Sequence, residues 1–465
     1  MSSSSTKSFF LNLQPAPAWI AILGLIIFSA VCILGHLGSV LRLGFPVGAF
    51  AVGVFLYQQY PILYVGFTWW IWFLTPLIRR LIDYQSGWVD PSVVLLSPLL
   101  VTLVTFATFV RYFPKSYNEG GLPFILCFVS VFYAFLVGLI KNSVTTATLA
   151  VLGWLIPIFF GFHLFVNWRD YPSYRQNIQR TFLWGVLVMG IYGMWQYLVA
   201  PEWDRFWLRN VDTPVFGTPE PFGIRVWSTM NSPQPFAGMM MTGLLLLFSS
   251  QGNLRFLAAG AGYLAFLLSS ARSAWLSWLV GLLIFMPSLK ARLQMRLIIS
   301  IMVAAVFVLP LTTIEPFSTA IMPRIESLSN VKDDTSYQER AAGYSVLLDL
   351  ALSEFLGKGM GGKIENNNTG LGSNDSGILT MLFSLGWFGT IPYLCGMVLL
   401  FFKLFQSSEG QFDAFVSAAR AIALGTFSQI SLNVVMTGSL GLVLWGFAGI
   451  AMAAQKYYSY QRTTH

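Results

Sequence analysis

The chain has 465 residues, of which 55% are hydrophobic and 10% are charged. Because a soluble globular chain carries about 25% charged residues, this composition excludes a soluble protein and predicts an integral membrane protein. The net charge of +8 would suit nucleic acid, but the cations flank apolar segments as topology-setting residues do, so we expect no nucleic-acid partner.

The apolar runs predict membrane-spanning helices. They reach roughly 17–20 residues or more, whereas membrane β-barrels show short alternating segments. We predict an all-α, polytopic transmembrane helix bundle of about 12–14 spans, with one large outer-face loop that contains an amphipathic helix. The predicted spans are 18–35, 45–58, 61–78, 92–112, 121–139, 143–166, 180–199, 234–250, 254–270, 273–287, 295–313, 377–403, 411–433 and 436–454.

Clusters of lysine and arginine set the predicted orientation. They mark alternate loops and the C-terminus as cytoplasmic. The alternation places three segments on the outer face, namely the loop 200–233, the turn 270–273 and the large loop 314–376. Arg79 and Arg80 fall on the wrong side in this scheme, which indicates either a re-entrant segment or wrong limits for the second and third spans.

The large outer loop is the main polar interruption of the chain. Within it, the run TSYQERAAGYSVLLDLALSEFLGKG predicts an amphipathic helix, with Thr335 and Gln338 as a capping box and Gly357 as its C-terminal stop. Its predicted apolar stripe consists of Tyr337, Ala341, Tyr344, Leu348 and Phe355.

The organisation predicted from this pass has three parts. Residues 1–200 form N-terminal transmembrane helices, and residues 201–455 form a second transmembrane region that includes the loop 314–376. Residues 456–465 form a cytoplasmic tail.

Three arginines, Arg225, Arg272 and Arg340, lie on the predicted outer face. An arginine this close to hydrocarbon costs about 2.5–3.5 kcal/mol on insertion scales, so it is usually paired or functional. Each one alone is equally well explained as a headgroup anchor. Three on one face suggest a site for a lipid-borne diphosphate, because guanidinium groups bind phosphate oxygens bidentately.

Metal and nucleotide chemistry find little support in the sequence. The only histidines are His36, His163 and His465, and no metal-ligand spacing is present. We therefore expect neither a metal nor another cofactor. The run GKGMGGK, residues 357–363, lacks the spacing and the Ser/Thr of a phosphate-binding loop.

Four short segments in order resemble the O-antigen ligase/polymerase superfamily, the WaaL- and Wzy-like bacterial membrane glycosyltransferases. They are RVWSTMNSPQ from Arg225, SSARSAW from Ser269, LGKGMGG from Leu356, and NDSGIL from Asn374 continuing to the GWFG run at Gly386. The resemblance covers residues 220–405.

The resemblance implies a metal-independent transfer of glycan from undecaprenyl diphosphate to a saccharide acceptor, at the outer face of the bacterial inner membrane. Arg272 and Arg340 correspond to the family's diphosphate-binding arginines, with Arg225 as a less direct third. The implied partners are an undecaprenyl-diphosphate-linked oligosaccharide, a saccharide or lipid-linked acceptor, membrane lipid, a chain-length regulator and a flippase.

The chain departs from the family at the acceptor side. Asn374 stands where the ligases carry a histidine thought to activate the acceptor, and asparagine cannot take up a proton near neutral pH. Asp375 is the next candidate base, with Glu339 behind it, although Asp375 would serve equally well as a helix N-cap.

The missing histidine favours a Wzy-like polysaccharide polymerase. The alternative within the class is an O-antigen ligase that transfers glycan to lipid A-core. The alternative from another class is a bicarbonate or other solute transporter, which would carry charged or broken-helix groups near the membrane midplane. The predicted spans contain almost none.

Overall fold

A computed structural model describes residues 15–211, 214–288, 346–362, 376–406 and 413–464, together with isolated residues between 294 and 344. Throughout these ranges the regular structure is helical, and a single isolated bridge, between Gly217 and Ile224, is the only β-pairing described. The predicted all-α class is confirmed.

Fifteen α-helices are described. In chain order they are α1 (Ala16–Leu34), α2 (Gly38–Gln59), α3 (Pro61–Ser86), α4 (Ser97–Leu103), α5 (Phe106–Ser116), α6 (Leu122–Lys141), α7 (Val144–Val166), α8 (Tyr171–Val199), α9 (Glu202–Val211), α10 (Pro233–Leu247), α11 (Leu254–Leu268), α12 (Arg272–Phe285), α13 (Gly377–Gln406), α14 (Ala414–Phe427) and α15 (Gly438–Thr464).

Nine helical segments of the described chain are long and apolar enough to cross a membrane, with α4 and α5 counted as one segment, Val93–Ser116. Three shorter apolar helices, α11, α12 and α14, lie beside them. The chain is therefore a multi-pass membrane protein, as the composition predicts.

The centre of the bundle is the packing of α15 against α7. Gly161 and Gly449 face each other so closely that a Cβ on either would collide with backbone atoms of the other helix. Small residues let helix backbones approach in this way, which maximises van der Waals contact where the hydrophobic effect gives no drive to association.

Contacts among the loops define two ends of the bundle. One end, called the site end below, contains the loop 200–233 and the turn 269–272, which are joined by Arg225 Nε donating to the Ser269 carbonyl oxygen at 2.6 Å. The described part of the large loop reaches the same end, where the C-terminus of α6 contacts it through Lys141 Nζ donating to the Gly357 carbonyl oxygen at 2.7 Å. The three segments predicted to share a face therefore share an end.

Arg79 and Arg80 also lie at the site end, because α3 continues to Ser86 and the predicted third span, 61–78, stops too early. Both side chains are buried. Carboxylates compensate them: Arg79 Nε lies 3.1 Å from Asp83 Oδ2, and Arg80 Nε lies 3.2 Å from Asp204 Oδ1. The limit predicted for the third span was therefore wrong, as one of the two explanations of their position requires.

The glycine-rich run forms a strap, residues 357–362, that binds the described part of the large loop to the bundle. Gly357, Gly359 and Gly361 have φ of +76°, +77° and +81°, in the left-handed region that favours glycine. A Cβ on Gly359 would collide with the backbone of Gly138 in α6. The glycines therefore serve close backbone packing.

The amphipathic helix predicted within the large loop ends earlier than predicted. Residues 346–353 are helical, so the helix ends before Phe355, which is 60% exposed. The fully buried residues are Leu347 and Ala351, which pack with the first turns of α13. Tyr344 and Leu348 of the predicted stripe contact this cluster, whereas the capping box and the first two stripe residues lie outside the described residues.

Candidate functional site

Arg225 holds the turn that precedes α12. Its Nε donates to the Ser269 carbonyl oxygen at 2.6 Å, and its Nη2 donates to the Ser270 carbonyl oxygen at 3.0 Å. These carbonyls end α11, where a helix accumulates partial negative charge that a cation stabilises. A third donor, Nη1, lies 3.5 Å from the Val215 carbonyl oxygen, and the predicted diphosphate contact of Arg225 stays a prediction.

Arg272 is the first residue of α12 and is half-buried. Two residues earlier, Ser270 has a φ of +52°, which is uncommon for a residue other than glycine. The structure thus brings Arg225 and Arg272 to one turn, although they are far apart in sequence. Arg340, the third predicted arginine, lies outside the described residues.

Next to Arg272, four uncharged side chains form a closed hydrogen-bonded group, called the amide ring below. Gln234 Nε2 donates to Gln429 Oε1 at 2.9 Å, and Ser273 Oγ donates to Gln234 Oε1 at 3.2 Å. Asn433 Nδ2 donates to Ser273 Oγ at 3.1 Å and to Gln429 Oε1 at 3.2 Å. The ring joins α10, α12 and the turn after α14.

The start of α13 lies against the same turn. The backbone N–H groups of Gly377 and Ile378 both donate to the Ile430 carbonyl oxygen, at 2.8 and 3.2 Å. Ser376 is buried, and its Oγ accepts from Leu379 N at 3.4 Å. Ser376 therefore occupies the N-cap position, directly after Asp375.

Asn374, Asp375 and Glu339 lie outside the described residues, so the choice of base stays a prediction. The described chain resumes at Ser376, and Gly377 is hydrogen-bonded to the turn that carries Gln429 and Asn433. The first, second and fourth resembling segments thus meet at the amide ring.

The third resembling segment packs on the fourth. Lys358 N donates to the Phe383 carbonyl oxygen at 2.7 Å, and Trp387 N donates to the Phe355 carbonyl oxygen at 2.9 Å. Between them lies Gly386, with a φ of +60° and a close contact to Gly357. The strap and the kink in α13 form one packing unit.

A charged network, called the strut below, stabilises the Arg225 segment. It consists of Arg80, Tyr192, Gln196 and Asp204. Asp204 is fully buried and accepts from Tyr192 Oη at 3.0 Å and from Gln196 Nε2 at 2.8 Å. Its third neighbour is Arg80 Nε, at 3.2 Å. Burial raises the pKa of Asp204 above its ordinary value, and the charge of Arg80 opposes that effect only in part.

The strut fixes the backbone that follows Arg225. Gln196 Oε1 accepts from Trp227 N at 3.1 Å and from Ser228 N at 2.8 Å, while Arg80 Nη2 donates to the Ser228 carbonyl oxygen at 2.5 Å. These bonds stabilise Ser228 in a left-handed conformation, with a φ of +52°. These residues were not predicted from the sequence, although the anomalous position of Arg80 was an available signal.

The tryptophans of α9 are part of this support. An interfacial aromatic belt is the ordinary interpretation of aromatic and basic residues beside a span. Trp207 is instead 3% exposed, with its ring centroid 5.8 Å from that of Phe216 and 5.2 Å from that of Trp227. It packs inside the protein because α9 folds back over the site end.

The described residues contain no group of three His, Cys, Asp or Glu side chains placed to hold a metal ion. In that part of the chain, the site chemistry consists of guanidinium, amide and hydroxyl groups. Such groups bind anions and hydroxyl groups through hydrogen bonds.

Fold and site together define a multi-pass α-helical membrane protein with arginines and an amide ring at one end of the bundle. No protein-family model matches the chain, and no curated protein matches it either. The resemblance to the O-antigen ligase/polymerase superfamily therefore depends on the four short segments alone.

Proposed function

We propose that this protein is a membrane glycosyltransferase that moves a glycan from a lipid diphosphate, of the undecaprenyl type, to a saccharide acceptor at the outer face of a bacterial inner membrane. One observation carries the proposal. The Arg225 segment, the Arg272 turn and the start of α13 come from three parts of the chain and meet at one end of the bundle.

In the proposed reaction, an acceptor hydroxyl oxygen attacks the anomeric carbon of the donor glycan. The bond between that carbon and the diphosphate oxygen breaks, and the lipid diphosphate leaves with the bonding electron pair. The hydroxyl proton passes to a carboxylate, for which Asp375 is the first candidate and Glu339 the second. General base catalysis of this kind contributes about 10²–10⁴-fold in rate.

Arg272 has the role of binding the diphosphate, together with Arg340. A guanidinium stabilises the charge that develops on the leaving oxygen, and its planar fork fits two phosphate oxygens at once. Arg225 supports this role indirectly, because it is bonded to the two residues that precede the turn to Arg272. The site thus separates anion binding from turn positioning.

Within this class we propose a polymerase that joins repeat units, because Asn374 replaces the histidine of the ligases. The glycan profile of a deletion strain tests the proposal. Loss of chain length, with one repeat unit still attached to its acceptor, is the expected result. Loss of all attachment would indicate a ligase, and an unchanged glycan would contradict glycosyl transfer altogether.

Solute transport is the second candidate function, and one observation favours it. Arg420 in α14 is 6% exposed, and His163 in α7 is 2% exposed. Ionisable residues buried within membrane helices commonly mark a transport pathway. An unchanged glycan profile with altered carbon uptake in the deletion strain would support this candidate.

A further inference from the structure

We infer that the amide ring is a saccharide-binding site, in which Gln429 donates hydrogen bonds to hydroxyl groups of the acceptor glycan. This inference rests on the proposed function and adds to it the side chains that contact the acceptor. The ring consists of Gln234, Ser273, Gln429 and Asn433.

The hydrogen bonds of the ring involve the amide oxygen of Gln429. Its Oε1 accepts two amide N–H groups, one from Gln234 and one from Asn433. A flip of this amide alone would place three donors against one another, so in this arrangement of the ring the nitrogen points away from both neighbours. Gln429 is 1% exposed, and its Nε2 has no hydrogen-bond partner among the described residues.

Helix association alone explains the ring incompletely. Asn, Gln and Ser side chains often join membrane helices by hydrogen bonds, and this accounts for the four bonds observed. It leaves two N–H groups of a buried amide unused, at a cost of about 1–3 kcal/mol. Two more buried atoms without a described partner, Thr229 Oγ1 and Asn231 Oδ1, lie on the segment that leads to Gln234.

The chemistry of these groups selects a polyhydroxyl ligand. An amide nitrogen donates, and amide and hydroxyl oxygens accept, whereas each sugar hydroxyl does both. The described ring members carry no charge, which distinguishes the ring from an anion site. Ser273, a ring member, directly follows Arg272 in sequence, so a glycan on the ring would lie next to the diphosphate site.

The test uses the full chain in phospholipid nanodiscs. The probe is the oligosaccharide released by mild acid from the host's own lipid-linked glycans, free of lipid and phosphate. Two variants are compared with wild type: Gln429→Met, which keeps side-chain length without the amide, and Gln179→Met as control. Gln179 donates to the Ser249 carbonyl oxygen at 3.0 Å, at the opposite end of the bundle.

We expect the oligosaccharide to raise the thermal midpoint of wild type and of Gln179→Met, but not of Gln429→Met. In a transfer assay with lipid-diphosphate donor, Gln429→Met should raise the acceptor KM about tenfold, the effect of one or two lost hydrogen bonds. The donor KM should change less than twofold.

In the thermal measurement, equal oligosaccharide shifts in wild type and Gln429→Met, or no shift in wild type, would overturn the inference. An equal rise of donor and acceptor KM would also overturn it, because the ring would then be structural support. These failures differ from failure of the proposed function, in which wild type transfers no glycan whatever it binds.

Discussion

The site end contains two polar clusters of opposite construction. The strut is charged: Arg80 and Asp204 are both buried, and the Asp204 carboxylate has three polar neighbours, while Arg80 Nη1 has no hydrogen-bond partner among the described residues. The amide ring is uncharged, and one of its nitrogens has no partner within the described chain. A buried ion pair that also bonds to the Ser228 carbonyl oxygen suits the stabilisation of backbone, whereas an uncharged group of amides and hydroxyls suits hydrogen bonds to a ligand.

The largest expected effect that tests this comparison is a loss of stability when the strut is broken. Asp204→Ala leaves Arg80 buried without its carboxylate, and breaking a buried ion pair in this way costs about 3–5 kcal/mol. We expect a strongly lowered thermal midpoint in detergent, measured by tryptophan fluorescence. Glu202→Ala is the control on the same helix, since its ion pair with Arg205 is exposed at the surface and is worth about 0–1 kcal/mol.

Equal midpoints for Asp204→Ala and wild type would contradict the assignment of the strut as structural support. Replacing both Arg80 and Asp204 by apolar residues should recover part of the stability lost in Asp204→Ala. Matched apolar groups remove both desolvation costs.

The next largest effect is expected on glycan transfer, from replacing the proposed base Asp375. Asp375→Asn keeps the size of the side chain and removes its ability to take up a proton. We expect transfer to fall by about 10²–10⁴-fold, with lipid-linked donor still bound. Ser376→Ala separates the two roles, because Ser376 provides the described N-cap contact of α13 and its loss should lower stability rather than chemistry.

Normal transfer by Asp375→Asn would exclude Asp375 as the base. Glu339→Gln would then be the variant to measure. If it also transfers normally, the reaction proceeds without either carboxylate.

A smaller loss of glycan transfer is expected when the proposed diphosphate-binding arginines are replaced. Arg272→Ala should lower transfer by about 10- to 150-fold, the equivalent of about 1.5–3 kcal/mol for a bond to a charged group, at normal protein level in the membrane. Arg272→Lys should recover little, because an ammonium is a point charge without the planar fork. Arg340→Ala should behave in the same way.

Wild-type transfer by both alanine variants would reduce these arginines to headgroup anchors. Arg225→Gln is the comparison variant, because Arg225 is proposed to position the turn and Arg272 to bind the diphosphate directly. A residue that positions the turn should lower transfer and thermal midpoint together.

The smallest effect is expected at the edge of the ring. Ser277 Oγ lies 3.3 Å from Ser428 Oγ, which already donates to the Gly425 carbonyl oxygen at 2.7 Å. A bond this long contributes little, so Ser277→Ala should change the free energy of unfolding by less than about 1 kcal/mol. A large loss of acceptor affinity in this variant would show that the saccharide site extends beyond the four ring residues.

Several spans were predictable residue by residue. The limits of α6 and α7 differ from their predictions by no more than two residues, because long apolar runs bounded by polar residues leave little choice. The limits of α3 were not predictable in the same way. Arg79 and Arg80 continue the helix past its apolar run, since Asp83 on the same helix and Asp204 on α9 compensate their charges.

The candidate site was likewise predictable only in part. The sequence alone identified Arg225 and Arg272 as unusual, since arginines beside hydrocarbon need a reason wherever the chain runs. It could not show that Arg225 bonds to the turn before Arg272, or that Gln429 and Gln234 meet from opposite parts of the chain. No local pattern distinguishes a glutamine in a ring from one at a surface.

The sequence by itself determined that this is a helical membrane protein and which segments share an end of the bundle. Both follow from apolar length and basic-residue placement, which act locally along the chain. Tertiary structure alone decided the strut, the strap and the amide ring. Each depends on backbones and side chains from distant helices coming within hydrogen-bonding distance, which only the packing of the whole bundle fixes.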